Sequence, residues 1–165
     1  MNKTTRGKLN PLQLAYIAGF VDGEGSIFIT KIKVSPKRNY KNPQHILHVS
    51  VVNTYHDVIH WLNRHYNEKA KMLYKPKAED YHREVAVFLV SGLNALYFLE
   101  EIYPYLKVKK GQAKLAIQFQ QRKMKENRGG IKLTIKDMQW REQYREKIMV
   151  LNNSRILRSR NEQAR

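Results

Sequence analysis

Ala15-Tyr16-Ile17-Ala18-Gly19-Phe20-Val21-Asp22-Gly23-Glu24-Gly25 is the stretch on which the fold turns. Just upstream, Asn10-Pro11 has the form of a helix start, with Asn as N-cap and Pro at the first helical position. Leu12, Ala15, Tyr16 and Gly19 recur at helical spacing, which predicts a helix over 11–21 ended by Asp22-Gly23-Glu24-Gly25. Two features break ordinary helix rules. A Gly inside an apolar helix costs about 1 kcal/mol relative to Ala, and with Ala15 and Ala18 beside it Gly19 points to a second backbone approaching closely. Asp22 and Glu24 stand at the helix C-terminus, where the dipole favours cations. A metal ion would compensate them; so would plain solvation after a Gly-rich turn. The residues alone leave both open.

Outward from this helix, 27–34 and 46–53 alternate as strands, joined by the polar, Pro-punctuated segment Ser35 to Pro43. Val58, Ile59, Leu62 and Tyr66 give a helix over 55–67, and 70–75 with 84–91 forms a second hairpin. Helices follow over 93–102, 112–125 and 135–151. The order αββαββα with extra C-terminal helices predicts an α+β fold. One four-stranded antiparallel sheet would carry helices on one face and leave a polar, basic face open. No linker divides 1–151, so these residues are expected to form a single domain, with 152–165 as a basic tail.

Composition bounds the function. The chain has 165 residues, with 31 Lys+Arg against 14 Asp+Glu and a formal charge of +17. A surplus this large repels itself unless a polyanion neutralises it, which points to nucleic acid over a merely basic soluble surface. Segments 25–56 and 102–125 hold no Asp or Glu, while Lys and Arg recur in both. The absence of Cys excludes disulfide scaffolds, thiolate zinc sites and Cys nucleophiles. No apolar run reaches the roughly 18–20 residues of a membrane helix, and the N-terminus lacks a signal-peptide core. An intracellular location beside the host genome, with no membrane partner, is expected.

The segment 17–25 resembles the LAGLIDADG motif of homing endonucleases. Asn53-Thr54 before a helix, the two hairpins, and Leu106-Lys107-Val108-Lys109-Lys110-Gly111-Gln112-Ala113 before another helix extend the resemblance over most of the chain. One motif copy is similar to the single-motif subclass, whose members act as homodimers. The resemblance implies a DNA-binding saddle made by the sheet. It also implies a dimer seam along the motif helix at Ala15, Ala18, Gly19 and Asp22, with Asp22 serving structure. Glu24 and the Gly23 carbonyl would hold Mg²⁺, with Mn²⁺ able to substitute, since hard oxygen ligands suit such ions. Glu stands here where the commoner pattern has Asp. Lys109 aligns with the active-site lysine, with Lys107 as its neighbour in reserve. Asn53 matches a water-ordering position, though a helix-capping Asn is an equal reading. Asp57 falls where some relatives carry Arg, leaving His56, Lys107 or Arg122 to substitute.

The implied function is an intron-encoded endonuclease making a metal-dependent double-strand break in a long pseudo-palindromic target. The alternatives are an intron RNA-binding maturase and a DNA-binding protein without cleavage. On the sheet, alternation from Glu24 and Ser26 places Phe28, Thr30 and Ile32 toward DNA, with His48 and Ser50 on the return strand. A bulge would instead expose Lys31 and Lys33. Lys71, Lys75, Lys77, His82 and Arg83 are candidates on the second hairpin, and Lys37, Arg38, Tyr40 and Lys41 in the long loop. A domain of this length has a radius of gyration of about 15 Å and so spans about 12 base pairs. A symmetric dimer would cover on the order of 20–24 base pairs.

Overall fold

A computed structural model describes residues 9–33, 43–66, 70–75, 84–126 and 133–153. The first helix, α1 (Pro11–Glu24), starts at a reciprocal cap. Asn10 Oδ1 accepts from the Gln13 N–H at 2.9 Å, and Gln13 Oε1 accepts from the Asn10 N–H at 3.0 Å. The helix runs three residues beyond the predicted end at 21, through Asp22-Gly23-Glu24, and passes into β1 (Gly25–Ile32) without a turn. Gly25 makes that junction possible. Its N–H still donates to the Val21 carbonyl while its backbone is already extended, and a Cβ there would lie 2.6 Å from the Val21 oxygen.

The remaining elements are β2 (Gln44–Asn53), α2 (His56–Tyr66), β3 (Ala70–Lys75), β4 (Val85–Ser91), α3 (Leu93–Ile102), α4 (Lys110–Lys125) and α5 (Ile135–Asn152), with a short 3-10 turn at Tyr103–Tyr105. The strands form an antiparallel sheet in the order β1-β2-β4-β3. One face is sealed. Ile27 and Ile29, Leu47, Val49 and Val51, and Ala86, Phe88 and Val90 alternate into a core completed by the buried sides of all five helices. Aromatic rings knit it: Tyr66 and Phe88 lie 5.0 and 5.5 Å from Phe98, and Phe119 lies 5.7 Å from Trp140. At the edge strand β1, Asn152 at the end of α5 donates to the Ile27 carbonyl at 2.8 Å.

The opposite face carries its cations at one edge: the β3–β4 register sets Lys71 and Lys75 on the side of Leu89 and Val85. On β1, β2 and β4 its described residues are Ser26, Phe28, Thr30 and Ile32, then Gln44, Ile46, His48, Ser50 and Val52, then Val85, Val87, Leu89 and Ser91. These three strands supply hydroxyls, an amide, the Phe28 and His48 rings and aliphatics, with no Lys or Arg among them. Lys31 has the other parity and turns to the helix side, where its ammonium pairs with Glu142 of α5 at 3.0 Å. Lys33 shares that parity just beyond the strand end. Neither joins the open face, because β1 runs without the bulge that would have flipped them.

Candidate active site

Two helix ends meet at the base of α1, and each supplies what the other lacks. Lys109 occupies the N-cap position of α4, where its side chain makes no cap hydrogen bond; Lys has no acceptor to offer. Asp22 of α1 fills the role from across the chain. Its carboxylate accepts from the Lys107 N–H at 2.7 Å and the Lys109 N–H at 2.8 Å. In return the Lys109 ammonium donates to the Asp22 carbonyl at the C-terminus of α1. Burial alone would raise the Asp22 carboxyl. The N–H groups of Lys107, Lys109 and Val108, with the Lys109 charge, outweigh it and hold the carboxyl below its ordinary value. The acid that offends the dipole of α1 therefore suits that of α4, and Lys109 suits the end of α1. For Asp22 the compensation within the chain is the N-terminus of α4.

Glu24 closes α1 two residues on and is exposed, as is Gly23. Among the described residues the Glu24 carboxylate makes no hydrogen bond or ion pair. No cluster of three His, Cys, Asp or Glu exists among those residues either. One chain thus presents a single unengaged carboxylate beside a backbone carbonyl at this helix end. Such a donor set fits a hard divalent ion that keeps waters and takes further oxygens from elsewhere.

Val51 pairs with Gly25, so Asn53 lies at the same end of the sheet as Glu24. Its Oδ1 accepts from the Tyr55 N–H at 2.7 Å, an Asx turn that leads into α2. Asp57 is exposed in the first turn of α2. His56 Nε2 lies 3.4 Å from the Glu84 carbonyl oxygen. Arg122 pairs with Glu126 at 2.8 Å and lies over Trp140 at 4.3 Å, at the far end of α4 and about 20 Å along the helix from Lys109. Of the three proposed substitutes for a basic group at Asp57, Lys107 is the one placed here, its backbone on Asp22 and its side chain exposed.

No family model matches the sequence, and no curated protein sequence matches it. Solved structures do. The homing endonuclease I-CvuI, crystallised with the I-CreI target, superposes with a TM-score of 0.67 at 21% identity, over 86% of this chain and 83% of that one. The archaeal intron-encoded I-Vdi141I, complexed with DNA, gives 0.67 at 14% identity, over 85% and 84%. I-SmaMI, a LAGLIDADG homing endonuclease bound to cleaved DNA, gives 0.57 at 20% identity, over 88% of this chain but 43% of that longer one. The fold is that of the LAGLIDADG homing endonucleases.

On the LAGLIDADG fold the other predicted residues divide. Ala15 and Gly19 are exposed on α1, with nothing within 4 Å of a Cβ placed on Gly19. Ala18 is not on that face: it is 0% exposed in the core of its own chain, because it shares the helix side of Ile17 and Val21. The exposed stripe also contains Leu12 (82% exposed) and Tyr16 (57%), which the sequence reading assigned to helix periodicity alone. The available signal was a helix apolar all round, which cannot be satisfied by one buried side. Phe28 stacks on His48 at 5.2 Å. The two ring nitrogens of His48 lie 2.9 Å from Thr30 Oγ1 and 2.7 Å from Ser91 Oγ, and burial lowers its pKa. Ser91 was missed, since the β2–β4 register that brings it to His48 joins strands not adjacent in sequence. Ile32 and Ser50 are half-buried on the same face. Lys71 and Lys75 fall opposite Leu89 and Val85 in the β3–β4 register. Lys37, Arg38, Tyr40, Lys41, Lys77, His82, Arg83 and the tail from 154 lie outside the described residues. No helix among the described residues is long and apolar enough to cross a membrane.

Proposed function

We propose that the chain is a site-specific DNA endonuclease of the intron-encoded homing kind, acting as a homodimer on a long pseudo-palindromic duplex. The observation that carries this is the Lys109 ammonium held on the Asp22 carbonyl, two residues before the exposed Glu24 that ends α1, on a LAGLIDADG fold. The stripe Leu12, Ala15, Tyr16, Gly19 and Gly23 would pack on its own copy, burying apolar side chains at about 1.5–3 kcal/mol for each large one. The two-fold axis would bring two copies of Glu24 together, one for each strand. A match to less than half of the longer I-SmaMI chain suits a chain that supplies half of the working unit.

Glu24 and the Gly23 carbonyl would hold the divalent ion, Mg²⁺ with Mn²⁺ as substitute. When bound, the ion supplies Lewis-acid polarisation of the phosphate and a water of lowered pKa. Lys109 offers a fixed ammonium to the charge that develops on the phosphate oxygens. Asn53, held by its turn at the same end of the sheet, orders solvent beside them. The open sheet face would lie in the major groove, where base edges carry a distinct donor and acceptor code.

The test is cleavage of a randomised-target plasmid library in Mg²⁺, then in EDTA. A metal-dependent double-strand break at one site is expected, and Glu24→Gln should abolish it while DNA affinity stays near that of the parent. Cleavage surviving in Glu24→Gln would sink the site. Binding to DNA without cutting in Mg²⁺ or Mn²⁺ would point to a cleavage-inactive binder. Intron RNA binding that persists in Glu24→Gln would point to a maturase.

A further inference from the structure

We infer that Asp22 is a positioning residue for cleavage: it sets where the Lys109 ammonium stands by capping α4 from α1. This inference rests on the proposed role of Lys109. Leu106 and Ala113 anchor the two sides of this turn in the core, but Lys107 and Val108 between them are exposed and have no packing of their own to fix the backbone that carries Lys109. What fixes it is one carboxylate with both oxygens engaged, Oδ2 on the Lys107 N–H and Oδ1 on the Lys109 N–H. The return bond from the Lys109 ammonium to the Asp22 carbonyl then fixes the side chain as well as its backbone. An ammonium carries three donors, so one bond to Asp22 leaves two for phosphate oxygens.

The exchange also explains why the C-terminus of α1 and the N-terminus of α4 carry no local side-chain cap. A Ser or Asp at 109 would cap α4 but remove the cation; a Lys at 22 would suit α1 but leave α4 uncapped. Placing the acid on one helix and the base on the other satisfies both ends and ties the motif helix to the lysine turn. A ligand-bearing helix end and its charge donor then move as one piece. Misplacement of such a group by about 1 Å costs on the order of a hundredfold in rate.

The test is a double-mutant cycle on single-turnover cleavage with Asp22→Asn, Lys109→Met and the pair, alongside DNA affinity and thermal melting of each. Asn accepts through one oxygen and turns an NH₂ toward the second amide, so it loosens the turn without changing size. Asp22→Asn is expected to lower the cleavage rate by on the order of 10- to 100-fold with DNA affinity kept. In the Lys109→Met background the same change should have almost no further effect. Independent losses that multiply in the pair would overturn the inference. Full activity in Lys109→Met would instead sink the proposed role of the lysine. Amide hydrogen exchange provides a readout free of catalysis. The Lys107 and Lys109 amides should exchange slowly in the parent and faster in Asp22→Asn, and fast exchange in the parent would overturn the latch whether or not any target is cut. Should Asp22→Asn fail to fold, Asp22→Ser and the parent's exchange rates carry the same decision.

Discussion

Gly25→Ala should be among the most damaging single-methyl additions in this chain. The added Cβ would meet the Val21 carbonyl oxygen at 2.6 Å, and Val21 Cα and Cγ1 at 2.9 Å each. Two of these atoms belong to the backbone of α1, so a change of rotamer cannot relieve the contact. Relief requires the α1–β1 junction to open, which breaks the hydrogen bond from the Gly25 N–H to the Val21 oxygen. Overpacking costs about 1–3 kcal/mol and the lost bond about 1 more, so the sum is about 2–4 kcal/mol. For a chain of this size 1 kcal/mol moves Tm by about 2–4 °C, so a fall of roughly 10 °C is expected. Gly23→Ala is the internal control: it sits in the same helix with nothing within 4 Å of the new methyl, and Ala there gains about 0.5–1 kcal/mol. Calorimetry of both variants at one low protein concentration reads the difference. A Gly25→Ala melt within a degree or two of the parent would refute the tight junction, and with it the account of how α1 enters the sheet.

Gly19→Ala should stabilise an isolated protomer, for the space beside it is open, yet weaken self-association if a second α1 approaches there; sedimentation velocity over a dilution series reads both, and unchanged association would rule out close approach at Gly19. Acid should unfold the protein in two stages. Burial chiefly lowers the His45 pKa below 6.5 against the pull of Glu142, so the stability of its neutral ring is full above 6.5 and drains as pH falls through that value. Burial would raise Glu142, but bonds from His45, Lys31 and Arg145 pull it down to about 2 from 4.5; its contribution is full above 4.5 and drains as pH falls toward 2. Glu142→Gln should erase the lower stage in a series of melts against pH, and a lower stage that persists would assign it to other carboxylates.

Most of the fold was legible because its signals are local. The Asn10-Pro11 cap, the period of 3.6 in α2 and the alternation in β1 and β2 each need only a few neighbouring residues. The end of α1 was misjudged by three residues because Gly23 and two acids read as a stop. What overrides them is Asp22's partnership with residues 85 and 87 positions away, which no local rule can anticipate. The dipole argument identified an anomaly at 22 and 24 and left metal and solvation open; the N-terminus of α4, which answers it for Asp22, lies far away in sequence. Lys31 shows a related limit: alternation gives its parity, but only the packing of α5 onto β1 discloses Glu142 as its partner. The hydroxyl pair around His48 was half-legible, Thr30 through the hairpin and Ser91 not at all.

On the proposed DNA-binding role, the placement of charge divides affinity from specificity. In a chain of +17 the strands β1, β2 and β4 bring no Lys or Arg to the open sheet face, and the cations in register on that face, Lys71 and Lys75, stand on the edge strand β3, so phosphate neutralisation falls to the edge of the face and not to its centre. The described lysines near the candidate site sit on the 107–110 turn, with Lys107 exposed. The face itself offers Thr30, Ser50 and Ser91 hydroxyls around a stacked Phe28–His48 pair, groups that read base edges and thymine methyls but contribute little electrostatic attraction. The two functions should therefore separate in a salt titration of DNA binding. Lys107→Ala, if each copy neutralises one phosphate, should flatten the slope of log K against log salt by about 1.8 for a dimer while leaving the preferred target unchanged. Thr30→Val should do the reverse, shifting base preference in a selected library with the slope intact. A Thr30→Val variant that changes the slope, or a Lys107→Ala variant that changes the selected bases, would show that charge and readout share the same surface after all.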